Sequence, residues 1–163
     1  MIQTEILARL EARLAVLEAN EAVRELRARY AWHAARGDYD GIAALFAPDG
    51  AFEFTGLGER RTFVGRDAIR AMLSQTMTPQ MVFPFIHNDI IKVDGDRAVS
   101  TCTMDTNISP GRDHGLIGYY HDDLRRIDGV WLFERRRWFL YHPTFEESGL
   151  DADSNPAPSR TAE

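Results

Sequence analysis

Cysteine is nearly absent. Among 163 residues there is one, Cys102, so no internal disulfide can form and a reducing compartment is implied. It sits in an apolar strand-like run and reads as a small buried hydrophobe. Long apolar runs are missing too: none approaches the roughly 18 residues that a membrane span needs. The start, Met1-Ile2-Gln3-Thr4-Glu5, opens an amphipathic helix in place of a basic stretch followed by an apolar core, so no secretory leader is read there. A cytoplasmic location with no membrane partner is the expectation. Basic excess is lacking as well. Net charge is −6 and the pI is about 5.4, which argues against a nucleic-acid partner. The one basic cluster, Arg135-Arg136-Arg137, falls in a strand-like segment, where neighbours point to opposite faces.

Several catalytic signatures are also missing. The five histidines, His33, His87, His114, His121 and His142, form no HExxH pattern, so no metal site is expected, although a dispersed facial triad leaves no spacing to read. Gly56-Leu57-Gly58 is a lone GxG without a phosphate-binding loop around it, and a serine nucleophile elbow is absent.

What is present is one domain's worth of chain, long enough to bury about two-thirds of its unfolded surface. Residues 4–19 predict a helix with Leu7, Leu10, Leu14 and Leu17 on one stripe, a two-heptad seam too short to stand alone. Residues 21–36 predict a second helical segment, continuous with the first or separate, with Val23, Leu26, Tyr30, His33 and Ala34 on one face. Gly37 stops it, Asp38 caps a short helix over 39–46, and Pro48-Asp49-Gly50 makes a turn. A strand over 51–55 and a helix over 66–75 follow, with Asp67 in the first helical turn. The remainder predicts two hairpins, 84–93 with 97–107 about Asp94-Gly95, and 116–127 with 130–141 about Asp128-Gly129. Helices first and strands later is the α+β pattern. The division expected is an N-terminal helix over 1–19, a domain over 20–147 and a polar, disordered tail over 148–163.

Three polar residues stand where apolar ones are easier to bury: Tyr30 on the helix face, His87 in Phe83-Pro84-Phe85-Ile86-His87-Asn88, and Asp105 in the strand from Val99. A buried group of this kind must be bonded, paired or neutral. Gathered in one place, a phenol, an imidazole and a carboxylate are the parts of an acid–base site. Phe54, Phe85, Trp138 and Phe139 are candidate walls for a hydrophobic, ring-bearing ligand. Tyr120 and Asp122 share a strand face with Leu124.

Gly37-Asp38-Tyr39-Asp40, Leu45-Phe46-Ala47-Pro48-Asp49-Gly50, Val64-Gly65-Arg66-Asp67-Ala68-Ile69, His87-Asn88 and Gly118-Tyr119-Tyr120-His121-Asp122, in this order, resemble the SnoaL-like branch of the NTF2-like superfamily. The resemblance spans roughly residues 18–142 and implies a cone of curved, mixed, mostly antiparallel sheet wrapped around helices with one deep pocket. Within the branch the chain is similar to the bile-acid 7α-dehydratase and, more remotely, scytalone dehydratase families. These use a helix Tyr, a strand His and acidic partners, with no metal or organic cofactor. Tyr30, His87 and Asp105 match those positions. An Asp five residues after the Tyr corresponds to Ala35, and a pocket Arg of the last strand to Phe139. His33, one helical turn from Tyr30, is the candidate replacement in a Tyr30–His33–His87 relay. Tyr120 belongs to the branch's Gly-x-Tyr-x-Asp pattern and joins the candidate ligand-binding set.

The reading this supports is a cofactor-independent lyase, isomerase or cyclase, a dehydratase foremost, acting on a polyketide- or steroid-like molecule. The alternative is a non-catalytic binding or assembly protein on the same fold. The leucine stripe and an uncovered sheet face imply a homo-oligomer, dimer or trimer.

Overall fold

In the computed structural model, residues 2–56, 59–77, 83–107 and 117–142 are described. The order is α1 (Ile2–Ala35), α2 (Tyr39–Ala44), β1 (Phe46–Gly56), β2 (Glu59–Val64), α3 (Arg66–Thr76), β3 (Phe83–Asp94), β4 (Arg97–Asn107), β5 (Ile117–Ile127) and β6 (Val130–His142). The strands form one six-stranded sheet in the order β2-β1-β6-β5-β4-β3. β1 and β6 run parallel; every other pair is antiparallel. The three helices pack on one face: α1 against β3 and β6, α2 against α3 and α1, and α3 against β1 and β2. This is the expected α+β layering.

The two helical segments predicted before Gly37 are one helix. Its first part, residues 3–18, is exposed throughout. From there Ala19, Val23, Leu26, Arg27, Tyr30 and Ala34 are buried, a stripe at helical spacing that faces the sheet. Gly37, at φ 66°, ends the helix in the left-handed conformation glycine tolerates best. Asp38 caps α2 as expected, accepting a hydrogen bond from the Gly41 backbone N–H at 2.8 Å.

Both predicted hairpins form. The second turns on Asp128-Gly129, with φ 49° and 82°, the pair of left-handed residues a tight hairpin needs. The first turns one residue later than Asp94-Gly95, through Gly95-Asp96. β2 was not expected, because its Glu59-Arg60-Arg61-Thr62-Phe63-Val64 lacks alternation; pairing with β1 makes it a strand. No helix among the described residues is long and apolar enough to cross a membrane. Residues 148–163, the expected tail, lie outside the described residues.

Two bulges decide what faces the core. In β3, Asn88 and Asp89 stand opposite one residue of β4, with Asn88 at φ 53°. In β6, Glu134 is the extra residue between the Leu124–Phe133 and Asp123–Arg135 pairs. A bulge switches the parity of a strand. Trp131 and Phe133 face inward before Glu134; Arg136, Trp138 and Leu140 face inward after it.

Candidate functional site

The inner face of the sheet carries a buried polar cluster. Asp122 of β5 and Arg136 of β6 are direct cross-strand partners, and both are 0% exposed. Arg136 Nε lies 3.2 Å from Asp122 Oδ1, and Nη2 donates to Oδ2 at 3.4 Å. Ser100 of β4 donates to the same carboxylate at 3.5 Å. The guanidinium carbon is 4.1 Å from the Tyr30 ring centre, 3.8 Å from Tyr120 and 4.4 Å from Phe133. Cation–π stacking of this kind strengthens when water is excluded. Tyr30 and Tyr120 meet edge to face, 5.9 Å between centroids, and each perturbs the other's ionisation.

Burial dominates the electrostatics. It raises the pKa of both phenols, Tyr120 most, although the adjacent Arg136 charge pulls the other way. It also raises Asp122 against the opposing pull of Arg136 and Arg27. Burial disfavours the Arg136 charge, but Asp122 and the two tyrosines outweigh it and hold the guanidinium protonated. Three donors on this face of β6 have no hydrogen-bond partner among the described residues: Arg136 Nε and Nη1 and Trp138 Nε1. They belong to residues two apart on one strand face. Leaving a buried donor unmatched costs about 1–3 kcal/mol, so each is a place where a ligand oxygen gains.

The four residues expected to make the acid–base site do not converge. Tyr30 is in the interior at 1% exposure. Asp105 and His87 lie on the opposite, outer face of the sheet and are both exposed. β3–β4 register sets Phe85 opposite Asp105 and His87 opposite Thr103, while the intervening Cys102 and Met104 face inward. The His87 ring lies parallel to Phe85 at 6.5 Å. His33 is half-buried at the α1–α2 junction, with Nδ1 2.7 Å from Asp38 Oδ2. That rules out the Tyr30–His33–His87 relay: Asp38, placed by the Gly37 turn, holds the imidazole at the helix cap.

Of the expected ligand-binding residues, Phe54, Tyr120 and Trp138 share the inner face. Phe54 meets Trp138 at 5.0 Å and Trp138 meets Tyr120 at 6.3 Å. Phe85 and Phe139 are corrections: both face outward, Phe85 49% exposed and Phe139 stacked on Tyr119 at 4.6 Å. The Glu134 bulge is the reason for the second. Unbroken alternation from Trp131 puts Phe139 inside and Arg136 outside; the bulge reverses both. An inward arginine is thus present on the last strand, at Arg136. Arg27 is a further interior residue the sequence reading passed over. Its signal was spacing, one turn before Tyr30 on the buried stripe. His114 lies outside the described residues. No group of three or more His, Cys, Asp or Glu side chains is placed to hold a metal ion among the described residues.

A fold of three helices over a curved mixed sheet, with its polar cluster on the concave side, defines the class. The SnoaL-like domain profile matches residues 15–137, and the chain belongs to that family. An NTF2-like protein with a cystatin-like fold from Novosphingobium aromaticivorans is 27% identical, with a TM-score of 0.72 over 86% of this chain and 93% of the other. A protein provisionally called scytalone dehydratase, from the same organism, is 21% identical, with a TM-score of 0.68 over 90% and 97%. The hexachlorocyclohexane dehydrochlorinase LinA-type3 of Novosphingobium barchaimii is 16% identical, with a TM-score of 0.68 over 80% and 91%. The last two show the fold alone. No curated protein matches the sequence.

Proposed function

We propose that the chain is a cofactor-independent lyase or isomerase, a dehydratase foremost, or a cyclase, acting on a hydrophobic polycyclic or aromatic molecule such as a polyketide or steroid. The observation that carries this is the buried Tyr30–Tyr120–Arg136–Asp122 cluster with unmatched donors on Arg136 and Trp138. Arg136 Nη1–H and the Trp138 indole N–H receive a carbonyl oxygen and stabilise it as negative charge develops, in a site whose cation is fixed in advance. Asp122, the carboxylate made more basic by burial, takes the proton from the carbon next to that carbonyl. The electron pair forms the new double bond and expels a β-hydroxyl, which leaves as water with a proton from the Tyr30–Tyr120 pair. The proton on Asp122 then restores the phenol. Phe54 and Trp138 hold the ring.

The test is turnover of cyclic β-hydroxyketones followed by enone absorbance. Tyr30→Phe and Asp122→Asn are expected to lower kcat by about 10²–10⁴, while Asp105→Asn on the outer face is expected to stay within twofold. Loss of activity in Asp105→Asn with activity kept in Tyr30→Phe would refute the assignment. The second reading, a non-catalytic binder, is favoured by the outward positions of His87 and Asp105, which leave the described interior without an imidazole. Ring compounds that bind without turnover would select it.

A further inference from the structure

A cavity of about 210 Å³ lies between α1 and the bulge of β3, lined by Arg24, Arg27, Ala28, Ile86, His87 and Asp89 among others. It is smaller than the roughly 300–1,000 Å³ of drug-sized sites, so its occupant is compact. Its wall holds a buried cation whose ion pairs are long and which makes no hydrogen bond among the described residues. The Arg27 side chain is 3% exposed, yet none of its three guanidinium nitrogens makes a hydrogen bond among the described residues. Nη1 is 3.8 Å from Asp89 and Nε is 3.7 Å from Asp122. Each acid is engaged more closely elsewhere, Asp89 by Arg24 at 3.0 Å and Asp122 by Arg136 at 3.2 Å. Arg24 and Asp89 neutralise each other at the rim, and Glu21, which also reaches Arg24 at 3.6 Å, stands in solvent. The buried interior is left with two guanidinium groups and one carboxylate.

Buried charges are ordinarily paired, because an unpaired one costs several kcal/mol. We infer that this cavity binds a small monocarboxylate, its two oxygens on the Arg27 fork and its apolar body against Ala28 and Ile86. Arg favours this ligand because its planar donors match a carboxylate in bidentate geometry. One guanidinium whose donors are unmatched fits a monoanion. This site is separate from the oxyanion donors on β6 and stands whether or not those act in catalysis.

The experiment is titration of the full chain with sodium benzoate, with the neutral isostere benzamide as control, read by methyl NMR and by thermal shift. Expected are saturable shifts at the Ile86 and Ala28 methyls with benzoate, and at least tenfold weaker binding of benzamide. Arg27→Met is expected to weaken benzoate at least tenfold, and Arg29→Gln, exposed on α1 and paired with Glu25, to change it less than threefold. Should Arg27→Met fail to fold, Arg27→Lys keeps the charge without the fork and is expected to weaken benzoate at least threefold. Equal binding of benzoate and benzamide, shifts confined to the Trp138 indole, or unchanged affinity in both Arg27 variants would overturn the assignment.

A second inference rests on α1 alone. Ile6, Leu7, Leu10, Leu14 and Leu17 are 53–63% exposed, on a helical arm exposed at every residue from 3 to 18. We propose that this arm pairs in parallel with the arm of a second copy. With Leu7 and Leu14 at a and Leu10 and Leu17 at d, Arg13 occupies g and Glu18 the following e, so a parallel pair sets each Arg13 against the partner copy's e-position glutamate. An antiparallel pair sets the acids of e, Glu11 and Glu18, against one another. Sedimentation velocity of the full chain is expected to show a dimer, and Leu10→Glu with Leu14→Glu a folded monomer. Arg13→Glu is expected to weaken the dimer and the double exchange Arg13→Glu with Glu18→Arg to restore it. A monomeric wild type, or an oligomer indifferent to the leucine changes, would contradict the proposal; so would an exchange that fails to restore pairing.

Discussion

Replacing Arg136 by Met keeps most of the side-chain volume and removes one charge from the centre of the fold. Asp122 is then buried at 0% exposure without its cross-strand cation. Breaking a buried pair by removing one member costs about 3–5 kcal/mol. Stacking of the guanidinium on Tyr30, Tyr120 and Phe133 is lost as well. Arg27, 3.7 Å from the same carboxylate, offsets part of this, which puts the expected loss near 3 kcal/mol, or about 6–12 °C in Tm. Asp122→Asn is expected to cost more, about 4–5 kcal/mol, because one carboxylate serves two guanidinium groups and its loss strands both. Arg136→Met combined with Asp122→Leu replaces the pair by apolar groups and is expected to return to within about 2 kcal/mol of wild type. Urea unfolding followed by the fluorescence of Trp131 and Trp138, on either side of Arg136 in β6, measures all three. If both single variants lose less than about 1 kcal/mol, or if their effects simply add in the double variant, the cluster is not the coupled unit described above.

Other expectations follow from the caps and the outer face. Asp38→Ala removes the α2 cap and is expected to cost about 1 kcal/mol. The Gly41 N–H and His33 lower the Asp38 pKa, so its stabilisation is complete above the unfolded carboxyl range and is lost as pH falls through the lower folded value. The gap between variant and wild type in denaturant melts is therefore expected to close in acid. Glu53, buried on the outer face, meets Arg60 at 3.0 Å, Arg137 at 3.7 Å and Arg135. Burial opposes its charge, but the arginines prevail and hold its pKa low, so Glu53→Gln is expected to cost about 1–3 kcal/mol at neutral pH and less in acid. Gly118→Ala is expected to lose about 1–3 kcal/mol, because its Cβ would stand 2.2 Å from the Phe139 carbonyl oxygen; a melt indistinguishable from wild type would show that β5 and β6 can separate there.

Most local signals carried the fold, although Pro48-Asp49-Gly50, expected as a turn, lies inside β1 (Phe46–Gly56). The helix stop at Gly37, the cap at Asp38 and the Asp128-Gly129 turn are set by backbone chemistry within a few residues, and all three are found. The site was harder because it depends on strand parity, which a single inserted residue reverses. Glu134 has no feature that marks it as a bulge, yet it exchanges Arg136 and Phe139 between the faces. Alternation within β4 would have put Asp105 with Thr103, opposite Cys102 and Met104, had Cys102 been taken as the inward marker. Arg135-Arg136-Arg137 did split as alternation requires, Arg136 inward to Asp122 and its neighbours outward to Glu53. β2 was not legible at all, since only its partner β1 makes it a strand.

The most direct test of the interior oxyanion site is the ionisation of bound 2-naphthol, followed by fluorescence across pH. A fixed guanidinium and an unmatched indole N–H stabilise a bound aryl oxide over the neutral alcohol. The wild-type protein is expected to bind 2-naphthol with its ionisation shifted to lower pH, Arg136→Met to abolish the shift, and Asp105→Asn to leave it unchanged. A bound naphthol whose ionisation matches that in water, or a shift that survives Arg136→Met, would contradict the account.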